Sequence, residues 1–198
     1  VGLFLLCSWK QRFTDAIKNS NLTLPLWLEI LFYSSMPIFH LHTFIFLSLL
    51  LFWFFIVSVK ARVHILKLVL FSAPIATFII ILLTNSFKSS SIIHIKWGWM
   101  MEKQNPLVFW FLNFGIFLPL VLFLCVKSFL NRKMDPKKFK TLSSSELFII
   151  PAVILMILFF NLMMAPWDWD NVKILVWSYI ILLPYIWEGL LSKTSKIK

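Results

Sequence analysis

Charged residues are scarce in this chain. Asp, Glu, Lys and Arg together make up 14% of its 198 residues, and only eight residues are acidic. Soluble domains carry about a quarter charged residues. A chain that is 60% hydrophobic therefore has too little polar surface to cover a soluble core, and the composition predicts an integral membrane protein.

Cysteine and glycine are also rare, with two and four copies. Cys7 and Cys125 lie in or beside apolar segments, far apart and without metal-ligand spacing, so we predict two unreactive thiols rather than a disulfide. The sequence contains no glycine-rich phosphate loop, no Cys/His zinc pattern and no nucleophile elbow. It also lacks a run of charges inside its apolar segments, which argues against a proton pump or an ion channel.

Long apolar segments are what the chain has instead. Five of them approach the roughly 20 helical residues that cross about 30 Å of hydrocarbon: 41–59, 65–84, 106–126, 147–165 and 172–191. They predict an all-α fold, a polytopic transmembrane bundle that forms a single domain over residues 1–198.

Residues 22–37 are apolar but are interrupted by Pro25, Glu29 and Pro37. We predict an amphipathic helix that lies in the membrane interface, because a further span there would invert the alternation of the loops. The chain opens at Val1 inside an apolar run, so we expect it to be the C-terminal fragment of a longer protein.

Lys and Arg concentrate in alternate connections. Residues 60–67, 127–145 and the tail after 191 hold 12 of the 19 basic residues. By the positive-inside rule these connections and the C-terminus face the cytoplasm, which predicts a bacterial inner-membrane location. Because the net charge of +11 lies in such clusters, we attribute it to topology and expect the lipid bilayer, not nucleic acid, as the partner.

The polar-aromatic clusters then fall on the extracytoplasmic face: "MPIFHLHTF" (36–44), "WGWMMEKQNPLVFW" (97–110) and "PWDWDN" (166–171). His40 and His42 are two residues apart and so point to different helix faces, which argues against a two-ligand metal site there. They could instead face an external cavity, or end a helix and contact headgroups. His64, in a basic connection, has no predicted role.

Asp168 and Asp170 form an Asp-x-Asp pair. Such a pair can hold a divalent cation on a phosphate, or supply a general base. The alternative is structural: Asp170 or Asn171 would cap the fifth helix, and Trp167 and Trp169 would join an aromatic belt. Asn105 similarly matches the N-cap position of a helix that starts at Pro106.

Together, "MPIFHLHTF", "NPLVFWFLNFGIFLPL" and "PWDWDNVKI" resemble, over about residues 36–177, the C-terminal half of a group of multi-pass bacterial membrane proteins. Those proteins are similar in architecture to the C-type (GT-C) glycosyltransferases. The resemblance implies a polyprenyl-phosphate sugar donor and an extracytoplasmic active site. It also implies a catalytic acid in the first external loop, which we expect upstream of Val1. It assigns no role to the matching residues of this chain.

Our hypothesis is a lipid-linked sugar transferase with Asp168 and Asp170 as catalytic residues. A divalent cation is the one cofactor that we consider, without a dedicated metal site. The predicted substrate-binding residues are His40, His42, Trp97, Trp99, Glu102, Asn105, Trp167, Trp169 and Asn171; the tryptophans would stack on sugar or hold the loops at the interface. The alternative is a non-enzymatic transporter or assembly scaffold, in which the same residues anchor and cap helices.

Overall fold

Helices make up almost all of the structure. The computed structural model describes residues 1–13, 23–84, 94–101, 104–133, 144–164, 168–187 and 190. The α-helices in these residues are α1 Gly2–Phe13, α2 Leu26–Phe39, α3 Leu41–Val57, α4 Arg62–Leu83, α5 Pro106–Phe114, α6 Phe117–Lys133, α7 Ser144–Asn161 and α8 Asp168–Ile186. A 3-10 turn, Val59–Ala61, precedes α4, and strands β1 (His94–Ile95) and β2 (Leu162–Met163) pair antiparallel. The predicted all-α class is confirmed.

The chain divides into two compact units. Unit 1 comprises Val1–Ile93 and Met164–Trp177, and unit 2 comprises His94–Met163 and Ser178–Lys198. Helix α8 contributes to both, with the boundary after Trp177. Cys7 and Cys125, one in each unit, are both free thiols as predicted.

In unit 1, α1 to α4 pack side by side. Helix α2 runs antiparallel to α3: only His40 separates the two helices, and the Tyr33 and Ser48 hydroxyls hydrogen-bond at 2.7 Å. Between the helices lies a core of large side chains that are almost fully buried: Leu5, Trp9, Phe46, Leu47, Leu50, Leu51, Phe54 and Leu68.

The packing gives unit 1 two distinct ends. The arginine end carries a group joined by contacts given below, Arg12, Leu24, Glu29 and His64, and also Lys60 and Arg62 around the start of α4. The histidine end carries His40, His42, Thr43, Asp170, Lys173 and Trp177. At the arginine end the Arg62 guanidinium donates to the carbonyls of Phe55 (2.9 Å) and Ile56 (3.0 Å), two of the last carbonyls of α3. These carbonyls lack partners within their own helix, so Arg62 closes α3.

Unit 2 confirms one predicted boundary and breaks one predicted span. Asn105 caps α5, with its Oδ1 accepting from the Leu107 N–H at 2.9 Å, and Pro106 is the first helical residue. Gly115, at φ +53°, ends α5, because such a backbone angle is readily adopted only by glycine. Helix α6 then leaves at 98° to α5, so the predicted segment 106–126 is not one straight helix.

Within the described residues, one helical stretch, Val59–Leu83, is long and apolar enough to cross a membrane. The α5–α6 pair passes the same test only when its two helices are counted as one span. The other apolar helices are shorter: Leu26–Phe39, Leu41–Val57 and Glu146–Asn161. Helical length and composition therefore support one or two spans, and the five-span arrangement stays a prediction.

The interfacial helix predicted over 22–37 needs correction. An interfacial helix turns its polar residues toward water and headgroups. In α2 the reverse holds: the Glu29 side chain is 0% exposed, while Trp27, Leu31 and Ile38 are exposed. Glu29 faces inward because it meets polar partners on α1 and α4. Helix α2 is thus a packed element of unit 1.

Candidate functional site

His40 lies at the junction of α2 and α3 and caps α3. Its backbone is extended (φ −163°, ψ 93°), and its Nδ1 accepts from the Thr43 backbone N–H at 3.1 Å. The Thr43 hydroxyl lies 2.9 Å from the same Nδ1. The predicted helix-end role of His40 is therefore realised. Its pKa lies below the ordinary value, because partial burial and the nearby Lys173 ammonium disfavour the imidazolium.

A second imidazole and an ion pair share the histidine end. The His40 and His42 ring centroids are 5.7 Å apart, at an interplanar angle of 63°. Asp170 and Lys173 form an ion pair at 2.7 Å and lie close enough for their charges to act on both imidazoles. Lys173 holds the pKa of the Asp170 carboxyl below its ordinary value. The tertiary structure thus brings together residues 130 positions apart in the sequence.

The start of α8 differs from the sequence prediction. The helix begins at Asp168, so Asp170 and Asn171 both lie inside its first turns and neither is the N-cap. Asn171 is buried, and its Oδ1 accepts from the Met164 N–H at 2.7 Å. This bond holds the chain that enters α8, which makes Asn171 a structural residue rather than one that faces a substrate. Trp167 and the side chains of Asp168 and Trp169 lie outside the described part of the chain.

The site residues predicted in unit 2 have separate roles. Trp99 is 3% exposed, and its indole N–H donates to the Phe159 carbonyl at 2.9 Å. It anchors its loop, and a sugar cannot stack on a ring so deeply buried. Trp97 is 82% exposed and remains open to a ligand or a headgroup. Asn105 caps α5, as described above, and Glu102 lies outside the described residues.

The arginine end contains a buried polar cluster that was not predicted from the sequence. Glu29 accepts hydrogen bonds from the Ser8 hydroxyl and from His64 Nε2 (2.6 Å), and Arg12 Nη2 lies 3.4 Å from its Oε1. Arg12 also donates to the Leu24 carbonyl at 2.6 Å, and Ser8 accepts from the Leu24 N–H at 3.0 Å. The Glu29 carboxylate on α2 therefore binds α1 and α4, and its partners Ser8 and Arg12 also hold the segment that enters α2.

In the sequence, Glu29 is only an interruption of an apolar stretch, and His64 has no predicted role. The available signal was a lone acid in an apolar stretch, since such a residue requires partners when it is buried. Its partners, however, lie 17 to 35 positions away along the chain. Only the packing of α1 and α4 onto α2 identifies them.

The chemistry available at the histidine end is hydrogen bonding and proton transfer. His, Cys, Asp and Glu do not form a metal-binding group of three anywhere in the part of the chain that the structure describes. Two imidazoles, one carboxylate and one ammonium can instead bind an anionic oxygen or move a proton. No known protein family model, curated protein or solved structure matches the chain.

Proposed function

We propose that the chain is a helical membrane protein that transfers a sugar from a polyprenyl-phosphate donor at the histidine end of unit 1. The observation that carries the proposal is the convergence of His40, His42, Asp170 and Lys173 at that end. The resemblance of the three sequence motifs to multi-pass proteins with GT-C-like architecture supports the choice of donor. That part of the proposal is an analogy at the level of fold.

The surface of α4 supports membrane embedding. Along this helix large apolar side chains stay exposed on the protein surface: Val63, Leu66, Leu70, Phe71, Ile75, Phe78 and Leu82. Soluble monomers rarely expose a continuous apolar surface of this extent to water. In a bilayer, the hydrocarbon tails of the lipids surround such a surface without a desolvation penalty. The segment Val59–Leu83 has the length and composition of a span.

The charges of unit 1 support an orientation. The arginine end carries Arg12, Lys60 and Arg62, whereas Lys173 at the histidine end is paired with Asp170. Positive charge favours the cytoplasmic side. The alternation of basic connections in the sequence predicts residues 8–40 on the extracytoplasmic side. Arg12 nevertheless contacts Leu24 and Glu29, and Glu29 bonds to His64 in the first turn of α4. We therefore assign the arginine end to the cytoplasm, with α2 crossing toward the histidine end.

Cysteine labelling tests this orientation. In a background with Cys7 and Cys125 replaced by Ser, a membrane-impermeant maleimide should modify Lys173→Cys in intact cells. It should modify Thr23→Cys, next to the arginine end, only after the membrane is permeabilised. Lys60→Cys is the matched cytoplasmic control. Labelling of position 23 in intact cells would contradict a crossing α2, and equal labelling of all three positions would contradict embedding.

In the proposed reaction the residues of this chain would bind and orient the substrates. The imidazoles and the Lys173 ammonium offer donors for the donor phosphate, and Asp170, with its lowered pKa, is an ionised acceptor for the acceptor hydroxyl. Asp168, whose side chain lies outside the described residues, stays a predicted catalytic residue.

Activity is tested with the full-length protein in membranes. The probe is a panel of polyprenyl-phosphate hexoses with tritiated sugar, and the measurement is the label that leaves the lipid phase. We expect the Asp168→Asn, Asp170→Asn double variant to lose activity by about 100-fold or more, the effect of removing a general base. The control is Asp135→Asn, a matched change in the basic connection 127–145. Undiminished release by a folded double variant would refute the catalytic role.

A non-enzymatic membrane protein is the second candidate, and specific contacts favour it. His40 already caps α3, and Asp170 already pairs with Lys173 one helical turn away. Capping and pairing alone explain these residues in a transporter or an assembly scaffold. If the wild-type protein releases no label from any donor above the background of empty membranes, this candidate replaces the transferase.

A further inference from the structure

Three polar groups form a chain of hydrogen bonds at the histidine end. The indole Nε1 of Trp177 donates to the Thr43 hydroxyl at 2.8 Å. That hydroxyl lies 2.9 Å from Nδ1 of His40, and the Thr43 backbone N–H donates to the same Nδ1 at 3.1 Å. Thr43 is buried, and the Trp177 ring stacks on the Phe46 ring with the two ring centroids 6.4 Å apart. The chain of bonds therefore lies in a packed region rather than on a loose surface.

The direction of each bond follows from the chemistry of its donor. An indole nitrogen and a backbone N–H can only donate. Because Trp177 donates to the Thr43 oxygen, the hydroxyl proton is available for His40. Because the Thr43 backbone N–H points at Nδ1, that nitrogen must be unprotonated. A neutral imidazole with a bare Nδ1 carries its proton on Nε2. The two hydrogen bonds to Nδ1 thus select one tautomer of His40.

We infer that Thr43 and Trp177 are positioning residues that hold His40 as the Nε2–H tautomer, so that this N–H is presented to a phosphate oxygen. The phosphate part of the inference rests on the proposed function, whereas the tautomer part does not. Among the described residues no hydrogen bond occupies His40 Nε2. Lys173 and His42 add an ammonium and a second imidazole beside the same ring, which suits an anionic oxygen.

Nitrogen-15 NMR of histidine-labelled, full-length protein in nanodiscs tests the tautomer without any substrate. The His40 signals are identified by their loss in His40→Asn. At pH 8 we expect an unprotonated, pyridine-like Nδ1 and a protonated, pyrrole-like Nε2. A wild-type protein with Nδ1–H as the main form would overturn the inference.

Two substitutions at one position separate positioning from packing. Thr43→Ser keeps the hydroxyl and should retain the wild-type tautomer. Thr43→Val keeps the branched shape but removes the hydroxyl, and should raise the minor Nδ1–H population about fivefold, the equivalent of one neutral hydrogen bond of about 1 kcal/mol. The His40 titration midpoint should also rise in Thr43→Val, because the neutral ring loses a partner. Equal spectra for the two variants would remove Thr43 from the mechanism.

Trp177→Phe provides a second, independent variant. It keeps an aromatic ring against Phe46 but removes the indole donor, which frees the Thr43 hydroxyl to turn away from His40. The Nδ1–H population should therefore rise in the same direction as in Thr43→Val. An unchanged population would show that Trp177 acts through packing alone and would overturn its positioning role.

Ligand addition tests the phosphate. A polyprenyl phosphate in the nanodisc should shift the His40 Nε2 signal, and inorganic phosphate added to the same nanodiscs shows whether the lipid chain is needed. A shift with the lipid alone assigns a lipid-linked donor, and a shift with both assigns phosphate in general. No shift with either overturns the phosphate role. Since the tautomer is measured without turnover, its failure and the failure of the transferase proposal are separate results.

Discussion

Replacing Glu29 by alanine is expected to destabilise unit 1 by about 3 kcal/mol. Removing one member of a buried ion pair typically costs about 3–5 kcal/mol, because the remaining groups lose their counter-charge in a dry environment. Glu29 is 0% exposed, but its partners His64 and Arg12 are 17% and 30% exposed and can turn toward solvent. This places the expected loss at the low end of that range. The measurement is the free energy of unfolding in detergent micelles.

The chain offers a matched control for the Glu29 prediction. Asp170→Ala removes the ion pair with Lys173, one helical turn further along α8. The Asp170 and Lys173 side chains are 34% and 49% exposed to solvent. Such pairs are worth only about 0.3–0.5 kcal/mol. A second variant, Glu29→Gln, keeps the hydrogen-bonding shape without the charge and should fall between the two. Equal unfolding free energies for Glu29→Ala and Asp170→Ala would contradict the buried cluster.

Trp99→Ala is expected to destabilise unit 2 by about 3–5 kcal/mol. Truncating a buried aromatic side chain removes its apolar contacts and leaves a cavity. It also leaves the Phe159 carbonyl without the indole donor. The measurement is again the free energy of unfolding, with the unfolding transition monitored by a spectroscopic probe located in unit 2.

Trp97, two residues earlier, is the control for Trp99. Its ring is 82% exposed, so Trp97→Ala should change stability by less than about 0.5 kcal/mol, as surface substitutions usually do. A large loss of stability in Trp97→Ala, or none in Trp99→Ala, would contradict the different placement of these two side chains.

Several features were predictable from the sequence because they depend on neighbouring residues. The apolar composition predicts helices, and Asn105 followed by Pro106 predicts a helix start that the structure confirms. Gly115 lies inside the predicted span 106–126, but whether a glycine merely weakens a helix or ends it depends on its backbone angle. The positive φ at this position decides for a break.

The candidate site was predictable only in part. His40, His42 and Asp170 were singled out for their residue types, and the structure places them at one end of unit 1. Asn171 and Trp99 were singled out by the same reasoning, but both are buried and hold backbone in place. Residue type and spacing do not distinguish a side chain that faces a ligand from one that faces its own core.

By itself, the sequence determined the helical class, the scarcity of soluble surface and the start of α5, since composition and local capping act over a few residues. Only the tertiary structure decided that Glu29 faces inward to Ser8, Arg12 and His64, and that Trp177 reaches Thr43 across 134 positions. The physical reason is the cost of burying a polar group without a partner. That cost requires a partner but does not specify where in the chain the partner lies.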